Sequence, residues 1–220
     1  MPPAPYQVIA VENGGGVTGT VTVHSGVLRD TVVQVIGDRD VCGARRSVPL
    51  VDEHGGRVGH VVVWLTDARR GKALSRARRF DLSTEQCALD PRIQAVTVNG
   101  TLDLFNADPA IHRTRFVRAH TGATIALVTE TDAGQVVPVR SVLDQPGLVE
   151  VRCDMHPHTR GWIRVFDQPY FDVTDSHGRF ALSDVPPGTY HLAAWQPRLG
   201  MRTQTVTVRA GEATQVTIAF

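Results

Sequence analysis

Short runs in which every second residue is apolar, each closed by glycine or proline, set the limits on what this chain can fold into. Val17-Thr18-Gly19-Thr20-Val21-Thr22-Val23 alternates at each step, which places its valines on one face of an extended strand and its threonines on the other. Thr31-Val32-Val33-Gln34-Val35-Ile36 predicts a second strand. His60-Val61-Val62-Val63-Trp64-Leu65 is apolar enough to be central in a sheet. Amphipathic helical spacing is nearly absent, while 20 glycines and 13 prolines supply turns along 220 residues. The chain is therefore expected to be all-β and long enough for one large or two modest domains.

Two loops carry the chemistry. Cys153-Asp154-Met155-His156-Pro157 follows a turn at Pro146-Gly147 and an alternating run, Leu148 to Arg152. A thiol and an imidazole three residues apart on one tight loop can face a common centre. Asn106-Ala107-Asp108-Pro109-Ala110-Ile111-His112 ends another strand and offers a third ligand, His112. Upstream, Ile93–Val98 and Thr101–Phe105 flank Asn99-Gly100, a dipeptide that predicts a β-hairpin. The candidate ligands thus fall at strand ends on one edge of a sandwich, where a rigid frame can hold them. Two imidazoles and one thiolate form the trigonal set that blue copper centres use to carry single electrons.

These pieces, in this order, resemble the cupredoxin family, and more closely the cupredoxin-like proteins described as methylamine-utilisation-like. The resemblance runs from about residue 86 and rests on Cys87 through Ile93, Asn106 through His112, Pro146-Gly147, Cys153 through Pro157, and Pro169-Tyr170-Phe171 with Val173-Thr174-Asp175. It implies a Greek-key β-sandwich with His112, Cys153 and His156 as ligands of copper. Two departures stand out. The axial methionine that commonly follows the loop histidine is missing: Pro157, His158, Thr159, Arg160 and Gly161 stand there. His158, two residues from His156 and on the same face of an extended segment, and Met155 are the candidates for a fourth ligand. Arg113 occupies the position where the family usually has an asparagine that braces the thiolate loop.

The C-terminal part, Thr174-Asp175-Ser176-His177-Gly178-Arg179-Phe180-Ala181-Leu182 with Val185-Pro186-Pro187-Gly188-Thr189-Tyr190, resembles the carboxypeptidase-regulatory-like, transthyretin-type β-sandwich. Asp-x-x-Gly makes a tight turn and Pro-Pro-Gly ends one strand before the next. The first strands of such a module are expected at Gly19-Thr20-Val21 and Val61-Val62-Val63. The expected organisation is a loosely ordered segment 1–13, one discontinuous sandwich from 14–66 and 166–220, a basic connecting loop 67–85, and a cupredoxin-like domain 86–165. A tandem arrangement of separate domains is the alternative.

Three cysteines are present. With Cys153 as a ligand, Cys42 and Cys87 remain, either as a disulfide or as two buried thiols. The disulfide would close a loop worth about 4 kcal/mol on the chain-entropy estimate. No apolar stretch of about 20 residues exists, so no membrane span is expected. The start, Met1-Pro2-Pro3-Ala4-Pro5, lacks a basic-then-apolar export signal. With a disulfide, the expectation is a periplasmic or extracellular protein whose signal has been removed. Lys plus Arg is 23 and Asp plus Glu is 22, and no stacking aromatics interleave the basic run, so no nucleic-acid partner is expected. Arg69, Arg70, Lys72, Arg76, Arg78 and Arg79 read either as a docking patch for an acidic redox protein or an anionic polymer, or as a solvated loop. Without a Gly-x-Ser-x-Gly elbow, a His-Glu-x-x-His helix or a Walker-type loop, no enzyme is expected. Two functions follow: single-electron transfer on one copper, or a metal-free subunit of a larger extracytoplasmic assembly.

Overall fold

A computed structural model of the chain describes residues 5–24, 30–48 and 51–220. They form two β-sandwiches. The units are Met1–Asp30 with Pro49–Leu74 and Asp167–Phe220, and Thr31–Val48 with Ser75–Phe166.

In the first unit, one sheet is ordered Phe171–Val173, Val62–Leu65, Gly188–Gln196, Gly200–Val208. The other runs Arg179–Val185, Gly15–Thr22, Arg57–Gly59, Asp52–His54, with Ala213–Ala219 parallel to Gly15–Thr22. The valines of Gly15–Thr22 that alternation turns inward, Val17 and Val21, pack with Val63, Leu65, Phe180, Leu182, Leu192 and Ile218. Asp175 makes the expected turn, its carbonyl accepting from the Gly178 N–H at 2.8 Å.

The second unit has a four-stranded sheet ordered Ala88–Asp90, Arg79–Glu85, Thr101–Asn106, Val136–Val139. Its five-stranded sheet is ordered Ile93–Thr97, Arg160–Phe166, Gly147–Cys153, His112–Arg118, Thr124–Glu130. Leu82, Leu102 and Leu104 from one sheet and Phe116, Val149, Val151 and Ile163 from the other are buried. A separate hairpin, Thr31–Gln34 with Arg45–Val48, carries the one-turn helix Arg39–Cys42 in its loop.

Several expectations need correction. Ile93–Thr97 and Thr101–Asn106 do not pair with each other: the first lies parallel to Arg160–Phe166 and the second parallel to Arg79–Glu85. Asn99, at φ 62°, turns the chain between sheets instead of closing a hairpin. Both runs have inward faces to bury, and opposite sheets of one sandwich offer each its own partner. Residues 79–85 are strand where a connecting loop was expected, because Leu82 is core. Residues 31–48 group with the second unit, since Cys42 is bonded to Cys87 and packs with it and Val35. Of the segment 1–13, residues 1–4 lie outside the described residues. Gln7–Val8 is not loose: it pairs with Arg70–Gly71. Nearby, the Tyr6 hydroxyl donates to the Lys72 carbonyl at 2.8 Å.

That anchoring depends on Gly71. At φ 153° it lies where side chains are strained, and a β-carbon there would stand 1.9 Å from Tyr170 Oη. Tyr170 cannot retreat, for it is fully buried and its hydroxyl accepts from the Lys72 N–H and donates to the Asp184 carbonyl, each at 2.9 Å. Gly71→Ala is expected to destabilise the first unit by roughly 3 kcal/mol. Denaturant unfolding followed by tryptophan fluorescence checks this; an unchanged midpoint would show that the tyrosine can move.

Candidate metal centre

The register of one strand pair sets the centre. Thr114 faces Cys153 across the antiparallel strands His112–Arg118 and Gly147–Cys153. Side chains two apart on a strand share a face, so His112 projects to the same side as Cys153, one step beyond it. The chain then turns back: the Cys153 N–H donates to the Thr159 carbonyl at 3.1 Å and the Thr159 N–H to the His156 carbonyl at 2.8 Å. This closed loop carries His156 over the sulfur.

Cys153 Sγ lies 3.8 Å from His112 Nδ1 and 3.6 Å from His156 Nδ1, and the two nitrogens are 3.2 Å apart. A point among the three atoms stands about 2 Å from each, close to the ~2.0–2.1 Å and ~2.3 Å bonds of imidazole nitrogen and thiolate sulfur to zinc. All three side chains are buried. The donor set and its spacing fit a first-row metal ion with soft-thiolate preference.

Two carboxylates hold the imidazoles from behind. Asp108 Oδ2 is 2.9 Å from His112 Nε2, and Asp38 Oδ2 is 3.0 Å from His156 Nε2. A carboxylate accepts hydrogen bonds, so each Nε2 carries the proton and each Nδ1 turns its lone pair to the centre. Burial pushes the His112 pKa below its ordinary value, against the pull of Asp108. The neutral ring that results is the form that binds metal. Asp108 also accepts from the N–H groups of Gln86 and Cys87, at 2.5 and 2.8 Å. Thr159 Oγ1 donates to the Cys87 carbonyl, joining the turn at 86–87 to the ligand loop.

The remaining candidates are dispersed. Met155 is 48% exposed. His158 stacks edge-on at 5.9 Å from the His156 ring and does not join the three converging atoms. Its Nε2 is buried without a hydrogen-bond partner among the described residues, and burial lowers its pKa. Arg113 alternates outward to the surface, within 3.9 Å of Asp154. The loop bracing expected of an asparagine comes from backbone, the Asp154 N–H donating to the Arg113 carbonyl at 2.9 Å. Cys42 and Cys87 are joined in a disulfide. Arg69, Arg70 and Lys72 belong to the first unit and Arg76, Arg78 and Arg79 to the second. Lys72 is engaged by Ser183 and Asp184, and Arg79 by both oxygens of Asp103.

Sequence reasoning missed Asp38 and Asp108. Asp108 sits four residues before His112 in a segment already singled out. Asp38 had one indirect signal: pairing Cys42 with Cys87 brings the residues around 42 to the ligand edge.

Residues 163–220 match the carboxypeptidase regulatory-like domain. A comparison with curated proteins finds no match. Among solved structures, the chain is similar to the copper-containing nitrite reductase NirK of Thermus scotoductus SA-01, at 19% identity and TM-score 0.37 over 44% of this chain. It spans about a quarter of that reductase's length, 24%. A single-site mutant of amicyanin in its reduced Cu(I) form gives 18% identity and TM-score 0.35, over 43% of this chain and 86% of that one. A purple cupredoxin from Nitrosopumilus maritimus gives 18% and 0.33, over 39% and 98%.

Beside the centre, Glu130 faces His112 across the strand pair and is fully buried. Thr114 Oγ1 donates to its Oε2 at 2.8 Å, while Oε1 has no partner among the described residues. Burial pushes its pKa up from 4.5 to about 7. The folded state therefore holds this proton more tightly than the unfolded one. Its contribution to stability is full below pH 4.5 and is lost as pH rises through 7, by about 3 kcal/mol in all. Unfolding free energies measured from pH 4 to 8 should fall over this window, and Glu130→Gln should flatten that part of the profile.

Proposed function

We propose that His112, Cys153 and His156 hold one copper ion and that the protein carries single electrons in an extracytoplasmic compartment. The observation that carries the reading is the convergence of two Nδ1 atoms and one Sγ within 3.2–3.8 Å. A copper ion held by His112, Cys153 and His156 would alternate between its two oxidation states. The chain's own residues fix the donor atoms: Asp38 and Asp108 orient the rings, and the sandwich excludes water from all three. The Cys42–Cys87 disulfide supports an oxidising compartment. Among the described residues no helix is long and apolar enough to cross a membrane. A redox protein is the partner proposed.

The exposure of Met155, which leaves the thioether position unfilled from this loop, favours a second reading: a metal-free subunit of an extracytoplasmic assembly. Adding Cu(II) and recording the optical spectrum with metal content on the same sample separates the two. Electron transfer requires an intense thiolate-to-copper band at one copper per chain, absent in Cys153→Ala. A folded protein that retains no copper sinks the reading and leaves the scaffold role.

The carboxylates give a second check. Asp38→Ala leaves His156 Nε2 without its acceptor, and copper affinity is expected to drop about 10–100-fold while the band persists. Competition against a chromophoric chelator measures it; equal affinities would show that Asp38 does not orient the ring.

A further inference from the structure

A second set of candidate ligands lies beside the first. The sulfurs of Cys42 and Cys87 and a ring nitrogen of His156 lie within 4.8 Å of one another, and so do ligand atoms of Cys87, Asp108 and His112. The disulfide is thus not a remote staple but part of the wall of the metal centre. Both cysteines are buried, and Cys42 arrives on the hairpin Thr31–Gln34 with Arg45–Val48, whose strands pair with each other alone among the described residues. An isolated two-stranded hairpin is marginal, so it can shift when its covalent tie is cut.

We propose that reduction of the Cys42–Cys87 bond creates a second, thiolate-rich site for a soft monovalent cation, Cu(I), formed by Cys42, Cys87 and His156. The reductant is an external dithiol. It is oxidised to its own disulfide as the Cys42–Cys87 bond takes up two electrons and two protons and becomes two thiols. On binding, Cu(I) displaces both thiol protons to solvent. Three donors, two of them soft, suit Cu(I) better than a tetrahedral zinc ion, which takes four. Because both sites use His156, one copper occupies one or the other, and the redox state of the hairpin decides which. The proposal leans on the electron-transfer reading only in sharing His156; Cys153 takes no part in it.

The test counts sulfur neighbours of Cu(I) by X-ray absorption, on full-length protein with the disulfide intact and after reduction with a water-soluble phosphine. The phosphine takes oxygen from water to become its oxide, and is removed anaerobically before Cu(I) is added. Intact protein should give one sulfur per copper, and reduced protein two or more with tighter retention against a bicinchoninate competitor. Cys153→Ser should abolish binding in intact protein yet keep two sulfurs after reduction, whereas Cys42→Ser/Cys87→Ser should never exceed one. If reduced Cys153→Ser binds Cu(I) through two sulfurs while intact wild type shows no thiolate-to-Cu(II) band, the second site stands and electron transfer falls. A single sulfur in reduced wild type, no Cu(I) in reduced Cys153→Ser that keeps its far-ultraviolet β-signature, or loss of that signature in wild type on reduction each overturns the proposal.

Discussion

The carboxylate of Asp108 is the constraint on which the second unit's ligand edge depends. It takes the N–H groups of Gln86 and Cys87 and holds His112 Nε2, so one side chain ties a tight turn to His112. Asn106 positions it in turn, its Oδ1 accepting from the Asp108 N–H at 2.9 Å while its Nδ2 donates to the Ala110 carbonyl at 3.1 Å. Gln86 and Cys87 have φ of 48° and 58°, a left-handed pair that side chains rarely adopt unaided. The two hydrogen bonds that the Gln86 and Cys87 N–H groups donate to Asp108 offset the cost of that turn. The turn matters because it carries Cys87, and through Cys87 the hairpin bearing Asp38.

Each imidazole is consequently held by a carboxylate from a different part of the sequence. Asp108 is four residues from its histidine and belongs to the sandwich. Asp38 is 118 residues from His156 and comes from outside it. The first is fixed by the strand frame; the second stays in place only while the hairpin does. The disulfide spans 45 residues, and closing a loop of that size is worth about 4 kcal/mol on the chain-entropy estimate. The ring of His112 is thus set by the fold itself, and that of His156 by a covalently moored appendage.

The convergence of His112, Cys153 and His156 was legible because its signal is local: a thiol and an imidazole three residues apart, and a histidine at the end of an alternating run. The all-β class was legible because alternation and turn residues repeat along the whole chain. Strand partners were not. Asn99-Gly100 marks a change of direction, and whether the strands it joins pair or part depends on which sheets need them, which is set by Phe166 and Leu143 far downstream. Asp38 was not legible from its own neighbours, for a related reason. Nothing in Gly37-Asp38-Arg39 distinguishes a carboxylate that will meet a buried ring from one that will face water. The segment 5–13 misled through composition, since its order comes from pairing with Arg70–Gly71 and not from its own sequence.

Asp108 is nearly fully buried, and among the described residues no lysine or arginine pairs with it. Arg113 and Arg115, the cations nearest in sequence to His112, are drawn outward to Asp154. Burial meanwhile drives Glu130 and His112 toward their neutral forms. The wall of the centre therefore offers one buried carboxylate, a second at its rim, and a sulfur whose ligand form is anionic. Asp108 is satisfied instead by three hydrogen bonds, from the Gln86 and Cys87 N–H groups and from His112 Nε2. The hydrogen bond from His112 holds Asp108 beside the three converging donor atoms, where a bound cation would add positive charge.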